Sequence, residues 1–349
     1  MSARGTDGKH ATDVGVTSRE PMTDGGVADE TPVDDGARPK GTARRRSIPG
    51  ILVLALVPVL LASTLVAPIV VLSDGGPFVG ALAAVILGLG VSAALGPVLV
   101  ERRIDRLPAA DLDDRPRAFI EHRIDDLADA VGVDAPTVRI VRGSAANVAV
   151  ADGYRGARIV VSTRLLSQPR DDRDAALRHA LVRLRRREAA VTTALLPAAA
   201  FVETMALFAT LLVGRRNERT AADRRVNRIH GYEPERERIP GPIYVVTGVV
   251  LWLLLIPIWI PVALGDRLHV AEGRRTADAA VARAGRTERA GLANAITFAR
   301  DAAGAADWPP ILDRLSLVSM ADEETERVRG TTRQEGRLRL ARLRSKRTL

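Results

Sequence analysis

The stretch D-A-A-L-R-H-A-L-V-R-L-R-R-R-E, from Asp174 to Glu188, has the spacing of an amphipathic helix. Ala176, Leu177, Ala180, Leu181 and Leu184 fall on one side, and Arg173, Arg178, Arg185 and Arg186 fall largely elsewhere. A single histidine, His179, stands among these arginines. A lone histidine on such a helix is ordinarily a packing or surface residue, so its meaning depends on what flanks it.

The composition points to two segregated kinds of chain: 46% hydrophobic residues stand beside 27% charged ones in 349 residues. Cysteine is absent, which excludes disulfides, thiolate metal sites and cysteine nucleophiles. A metal would need His, Asp or Glu, and the chain holds only five histidines, His10, His122, His179, His230 and His269. The net charge of +9 is almost all arginine, since Lys9, Lys40 and Lys346 are the only lysines.

Upstream of the helix, residues 1–46 are polar, lack a hydrophobic period and are expected to be a disordered tail. Residues 47–100 read as a transmembrane hairpin. Ile48–Leu72 and Pro77–Val100 carry no charge, and each exceeds the roughly 20 residues that cross a bilayer core. A cleaved signal peptide fits poorly, because the apolar run is too long and starts too far into the chain. Arg44, Arg45 and Arg46 precede the hairpin and Arg102, Arg103 and Arg106 follow it, while its turn holds only Asp74. The excess of positive charge on cytoplasmic flanks therefore places the tail, and the start of everything after Val100, in the cytoplasm.

Residues 101–188 read as a small α+β region. Phe119, Ile120, Ile124, Leu127 and Val131 give 115–133 a helical period that stops at Gly132 and Asp134-Ala135-Pro136. Three β-like runs follow at 137–142, 147–151 and 158–162, separated by glycine-containing turns. Residues 189–213 and 242–265 are further hydrophobic helices, joined by the connection 214–241 with its eight arginines. If both helices span, that connection lies outside the cytoplasm, which the positive-inside tendency disfavours. Spanning is the favoured reading, with helices that pack without fully crossing as the alternative.

This order of elements resembles the HtpX-like family of membrane zinc metallopeptidases. The resemblance rests on A-P-T-V-R-I-V-R-G-S-A-A-N-V-A-V-A (135–151), R-I-V-V-S-T-R-L-L (158–166), the spacing to His179, and the two apolar helices that follow. It covers roughly residues 48–300. It implies an α-helical integral membrane protein with a small α+β cytoplasmic metallopeptidase-like domain, completed by residues 266–320 and followed by a basic tail, 321–349. It also implies an H-E-x-x-H helix, in which two histidines one turn apart hold zinc beside a glutamate general base. Here the pentad is His179, Ala180, Leu181, Val182 and Arg183. The base position is a methyl group and the second ligand position a guanidinium, which cannot lose its proton. The family's third ligand is the glutamate of an E-x-x-x-D pattern. Asp278 matches the aspartate, and Arg274 stands four residues before it. Glu272 is out of phase by about 200° on a helix. The family's C-terminal T-H-P-P-x-x-x-R-I-x-x-L is reduced to Thr332, Arg339-Leu340 and Leu343.

Two of three ligands and the base are thus replaced, and a lone imidazole between two guanidiniums repels a dication. No cofactor is expected. A rearranged zinc site using Glu188, Glu203 or Glu272 remains the alternative. Arg183 and Arg274 are either ordinary solvated arginines or, if the match holds, meet where zinc would sit and pair with Asp278 or another acid. Glu203, inside an apolar span, is either functional or accommodated by Thr204 and the bundle interior.

The favoured function is that of a noncatalytic relative acting through membrane-protein clients or homologous protease subunits. The alternative is an active zinc-dependent membrane metalloendopeptidase in protein quality control. A transporter fits less well, because only Glu203 is charged within the spans. The tail holds nine basic residues from Arg327 to Arg347, suited to lying on anionic lipid or simply to being solvated. With no aromatic after Trp308, specific nucleic-acid binding is disfavoured.

Overall fold

The structure, a computed structural model, describes residues 42–72, 76–212, 242–301, 308–320 and 332–345. Two long apolar helices, α1 (Thr42–Leu72) and α2 (Pro77–Asp105), come first. They are followed by α3 (Asp114–Val131), β1 (Thr137–Val141), β2 (Val148–Gly153), β3 (Gly156–Ser162) and the short α4 (Thr163–Leu166). Then come α5 (Arg170–Arg185), α6 (Glu188–Leu212) and α7 (Pro242–Gly265). A π-helical turn, Asp266–Val270, leads into α8 (Ala271–Ala284) and α9 (Arg286–Asp301). A 3-10 turn, Pro310–Leu315, and α10 (Thr332–Arg344) complete the described chain.

The described residues are mostly helical, with one three-stranded sheet. Among the described residues four helices are long and apolar enough to cross a membrane: Ile48–Leu72, Pro77–Asp105, Glu188–Ala209 and the one that begins at Val245. Their packing depends on small residues. In α2, Gly80, Ala84, Gly88, Ser92 and Gly96 recur every four residues and are all buried. A β-carbon on Gly88 would lie 2.4 Å from the Pro58 carbonyl oxygen of α1, and one on Gly96 would lie 2.4 Å from the Thr193 carbonyl oxygen of α6. Backbones this close give the van der Waals contact that replaces the hydrophobic effect between apolar helices. Leu54 and Val57 of α1, Leu195 and Val202 of α6 and Ile258 and Val262 of α7 form a further cluster among these helices.

The sheet has the order β1-β3-β2, with β1 parallel and β2 antiparallel to β3. Gly156, at φ 92°, closes the β2–β3 hairpin. Alternation along the strands divides the sheet between two cores. Val148, Val150, Ile159 and Val161 face the cluster built by α3, α5 and α9. Ala149, Ala151 and Val160 face Val100 and Ile104 of α2, Leu196 of α6, and Leu312 and Leu315 of the 3-10 turn. The sheet is therefore buried on both sides, and α5 behind it is buried almost all round from Ala175 to Leu184.

Several boundaries expected from the sequence shift. The first five residues of α1, Thr42 to Arg46, are helical rather than part of a disordered tail; residues 1–41 lie outside the described residues, as does the whole of the Arg-rich connection 214–241. The motif helix does not run to Glu188. It stops at Arg185, and Arg187 adopts φ 56° while its N–H bonds the Leu184 carbonyl. That left-handed residue turns the chain sharply enough for Glu188 to open α6. The alanine-rich helix after Asp278 breaks at Gly285 into α8 and α9. The C-terminal helix is not a freely solvated basic segment: Arg339, Leu340 and Leu343 of α10 are buried.

The glycine stripe gives a sign test. Alanine at Gly90, where an added β-carbon meets nothing within 4 Å, should stabilise by up to about 1 kcal/mol through helix propensity. Alanine at Gly88 should instead cost about 1–3 kcal/mol, because it pushes α1 and α2 apart. Unfolding of the two variants in mixed detergent, side by side, checks the reversal.

Candidate functional site: a buried arginine cluster

A guanidinium carries five N–H donors and stays charged, so burying one requires acceptors on several sides. Four arginines are buried together with their partners here: Arg183 of α5, Arg274 of α8, Arg314 of the 3-10 turn and Arg339 of α10. Arg183 is 1% exposed. Its Nε and Nη2 donate to Glu188 Oε1 at 3.0 and 2.8 Å. Its remaining donors reach the carbonyls of Arg314 (3.0 Å), Leu315 (2.9 Å) and Ser316 (3.2 Å). These are the orphan carbonyls at the end of a 3-10 turn, where partial negative charge collects. Arg183 thus both caps that turn and neutralises Glu188.

Glu188 can sit there because α5 ends early and because α8 offers Gly273. A β-carbon on Gly273 would lie 1.9 Å from the Glu188 carboxyl carbon. Next to it, Arg274 donates from Nε to the Ser316 carbonyl at 3.1 Å and from Nη2 to the Asp313 carbonyl at 2.7 Å, and its Nη1 pairs with Glu335 at 3.4 Å. Arg183 and Arg274 therefore converge on one acceptor, the carbonyl oxygen of Ser316.

His179 lies one helical turn before Arg183 and is fully buried. Its Nε2 is 3.2 Å from Asp278 Oδ1, and Asp278 also takes Nε and Nη2 of Arg339 at 2.7 Å each. Arg339 uses Nη1 on the Leu317 carbonyl at 2.6 Å. His179 Nδ1 has no hydrogen-bonding partner. A proton on Nε2 then serves Asp278, whereas a second one on Nδ1 would be an unsatisfied buried donor. Burial also pushes the His179 pKa below its ordinary value; Asp278 opposes this, and Arg339 and Arg183 add to the lowering. His179 is therefore the neutral imidazole with its proton on Nε2.

The expected meeting of His179, Arg183, Arg274 and Asp278 is present, and of the two expected pairings for the arginines, Asp278 or another acid, it is the second that forms. Asp278 is held by Arg339 and His179, while Arg183 takes Glu188 and Arg274 takes Glu335 and main-chain oxygens. Neither Arg183 nor Arg274 is a solvated surface arginine. Ala180, at the expected base position, packs in the core at 3% exposure. Glu203 of α6 is buried in the bundle interior, as one of its two expected readings had it, and the Thr204 hydroxyl donates to the Ala200 carbonyl. Its carboxylate takes Arg314 Nη1 at 3.1 Å, and Asp266 takes Nε and Nη2 of the same arginine at 2.7 and 2.8 Å. Glu272 is outside the cluster, with its carboxylate 3.5 Å from Arg275. Arg314 and Asp266 were not among the residues singled out in the sequence. Their signal was faint: an ionisable residue at the end of an apolar helix, and an Asp-Arg pair, Asp313-Arg314, between leucines.

The zinc implied by the resemblance does not suit this donor set. Among the described residues no three His, Asp or Glu side chains gather to hold a metal, and the one carboxylate beside His179, Asp278, is already engaged by the Arg339 guanidinium. What the arrangement does chemically is fix main chain to side chain across four elements.

Two outcomes follow. Arg183→Met leaves Glu188 and the carbonyls of Arg314 and Leu315 without their arginine and should cost about 3–5 kcal/mol, Arg183→Lys should fail to restore most of it, and Arg183→Met with Glu188→Met should recover part; urea unfolding of the purified chain checks all three. The second concerns pH. Because the folded pKa of His179 is lowered, its neutral form supports stability above the unfolded value of 6.5, and that support is lost as pH falls below it. The loss of stability between about pH 6.5 and 5.5 should be shallower in His179→Gln, whose amide still donates to Asp278.

No family model, curated protein or solved structure matches this chain, so the chemistry of the cluster is read from its own residues.

Proposed function

We propose that this chain is a noncatalytic relative of the HtpX-like membrane metallopeptidases, working by binding membrane-protein clients or homologous protease subunits. The observation that carries the reading is the convergence of Arg183 and Arg274 on the Ser316 carbonyl, at 3.2 and 3.1 Å, beside His179. In a zinc peptidase those two positions supply ligands around an open water position. Here they supply two fixed positive charges, and the base position is Ala180. A water with neither a metal nor a base to deprotonate it is a poor nucleophile at neutral pH.

The four apolar helices support a multi-pass protein in the cell membrane. The arginines at 44–46 and at 102, 103 and 106 support a cytoplasmic N terminus and domain. Full-length protein purified in mild detergent, supplied with zinc and dialysed, should retain far less than one zinc per chain by elemental mass spectrometry. It should also fail to cleave an unfolded casein with or without chelator. Stoichiometric zinc together with chelator-sensitive cleavage would overturn the proposal in favour of the metalloendopeptidase.

A further inference from the structure

A proline inside a helix leaves a gap in the hydrogen-bond ladder, because it has no N–H for the carbonyl four residues before it. In α2 that proline is Pro97, and the carbonyl is that of Ala93. Within a bilayer no water fills such a gap, so the carbonyl calls for a donor from the protein. Here the donor comes from the sheet. The Tyr154 hydroxyl, at the tip of the β2–β3 hairpin, donates to the Ala93 carbonyl at 3.2 Å.

That hydrogen bond also fixes how far the hairpin reaches. Nearer the domain the hairpin is clamped to Glu101, whose Oε1 accepts from the Arg155 N–H at 3.0 Å. A β-carbon on Gly153 would lie 2.3 Å from the same oxygen, so glycine is what lets the strand run this close to α2. The Asp152 N–H donates to Thr193 Oγ1 of α6 at 3.4 Å, which ties the hairpin to a second apolar helix. From Glu101 back to Ala93 is about 12 Å along the helix axis. The Tyr154 ring therefore lies alongside the uncharged run Pro77–Val100, on the side where Val91, Leu95 and Leu99 are exposed. Tyr154 is itself 66% exposed there. Arg102 and Arg103, exposed where α2 leaves its apolar run, mark the level of the headgroups.

An aromatic ring just inside that level is where a bilayer interface favours tyrosine, and here the hydroxyl is satisfied without water. We propose that the tip of the β2–β3 hairpin is a lipid-contacting anchor, with the Tyr154 ring at the boundary of phospholipid headgroups and acyl chains, holding the sheet against the bilayer. The inference rests on α2 spanning the membrane and is independent of the noncatalytic reading.

The absence of cysteine permits single-site labelling. Full-length Tyr154→Cys, Leu87→Cys and Asp125→Cys proteins, each carrying a nitroxide, are reconstituted in vesicles of phosphatidylcholine with a minority of phosphatidylglycerol. Collisions of the nitroxide with oxygen, which concentrates in lipid, are compared with those of a water-soluble nickel chelate. Leu87 is an exposed residue in the apolar part of α2, and Asp125 is an exposed residue of the polar helix α3. The oxygen-to-nickel ratio at position 154 should be several times that at 125 and below that at 87. A ratio at 154 equal to that at 125, with 87 in lipid, would overturn the proposal alone. A ratio at 87 as low as at 125 would overturn the spanning of α2 as well.

A second measurement reads the hydroxyl. Tyr154→Phe should lower the unfolding temperature in mild detergent by about 2 °C. It should have no measurable effect in a Pro97→Ala chain, where the N–H at position 97 serves the Ala93 carbonyl. Equal losses in the two chains would overturn the capping of Ala93, and with it the depth assigned to Tyr154. None of these outcomes bears on zinc content or casein cleavage.

Discussion

Removing a guanidinium from water is costly unless every N–H finds an acceptor, and that constraint organises the centre of this molecule. Arg183 meets it with one carboxylate oxygen and three carbonyls. Those carbonyls belong to a segment more than 130 residues further along the chain. To present them, the 3-10 turn must end against α5, and to present Glu188, α5 must end at Arg185. Gly273 must lack a side chain for the same reason. The charge in the middle thus dictates a helix end, a left-handed residue and a glycine around it.

A buried ion pair is weak evidence for added stability, because desolvation offsets the attraction. Its value here lies in specificity. Arg183, Arg274 and Arg339 hold carbonyls of one short segment, the first two sharing that of Ser316, and each comes from a different helix. A shift of register in any of these helices would leave a charge without its acceptor. Apolar residues such as Leu177 and Leu181 could tolerate such a slip far better.

Much of the fold was legible in the sequence, and the site was legible in part. Long uncharged runs announce helix 242–265 and the part of helix 42–72 that follows its arginines, because the apolar run itself is the signal. The strands were visible because β-branched residues alternate between turns. Placing Arg183, Arg274 and Asp278 near His179 required only helical spacing and the resemblance. The partners could not be read this way. Acceptors for Arg183 and Arg274 are main-chain oxygens, which every residue has and no side chain advertises. Arg339 stood out as a motif residue, but its contact with Asp278 spans 61 positions and follows from no local pattern. The end of α5 was missed because Arg187 is a good helix former placed in a left-handed conformation by its surroundings.

The pairing of Glu203 with Arg314 also has a consequence in time. The two residues are 111 positions apart, so the carboxylate is made first and its arginine follows. At about 5–20 residues per second, synthesis leaves that acid without its guanidinium for on the order of ten seconds. Asp266 also precedes Arg314 in the chain, so both acids await the same guanidinium. The ion pair of Glu203 is therefore a late event in the maturation of the fold, set by the order of the sequence.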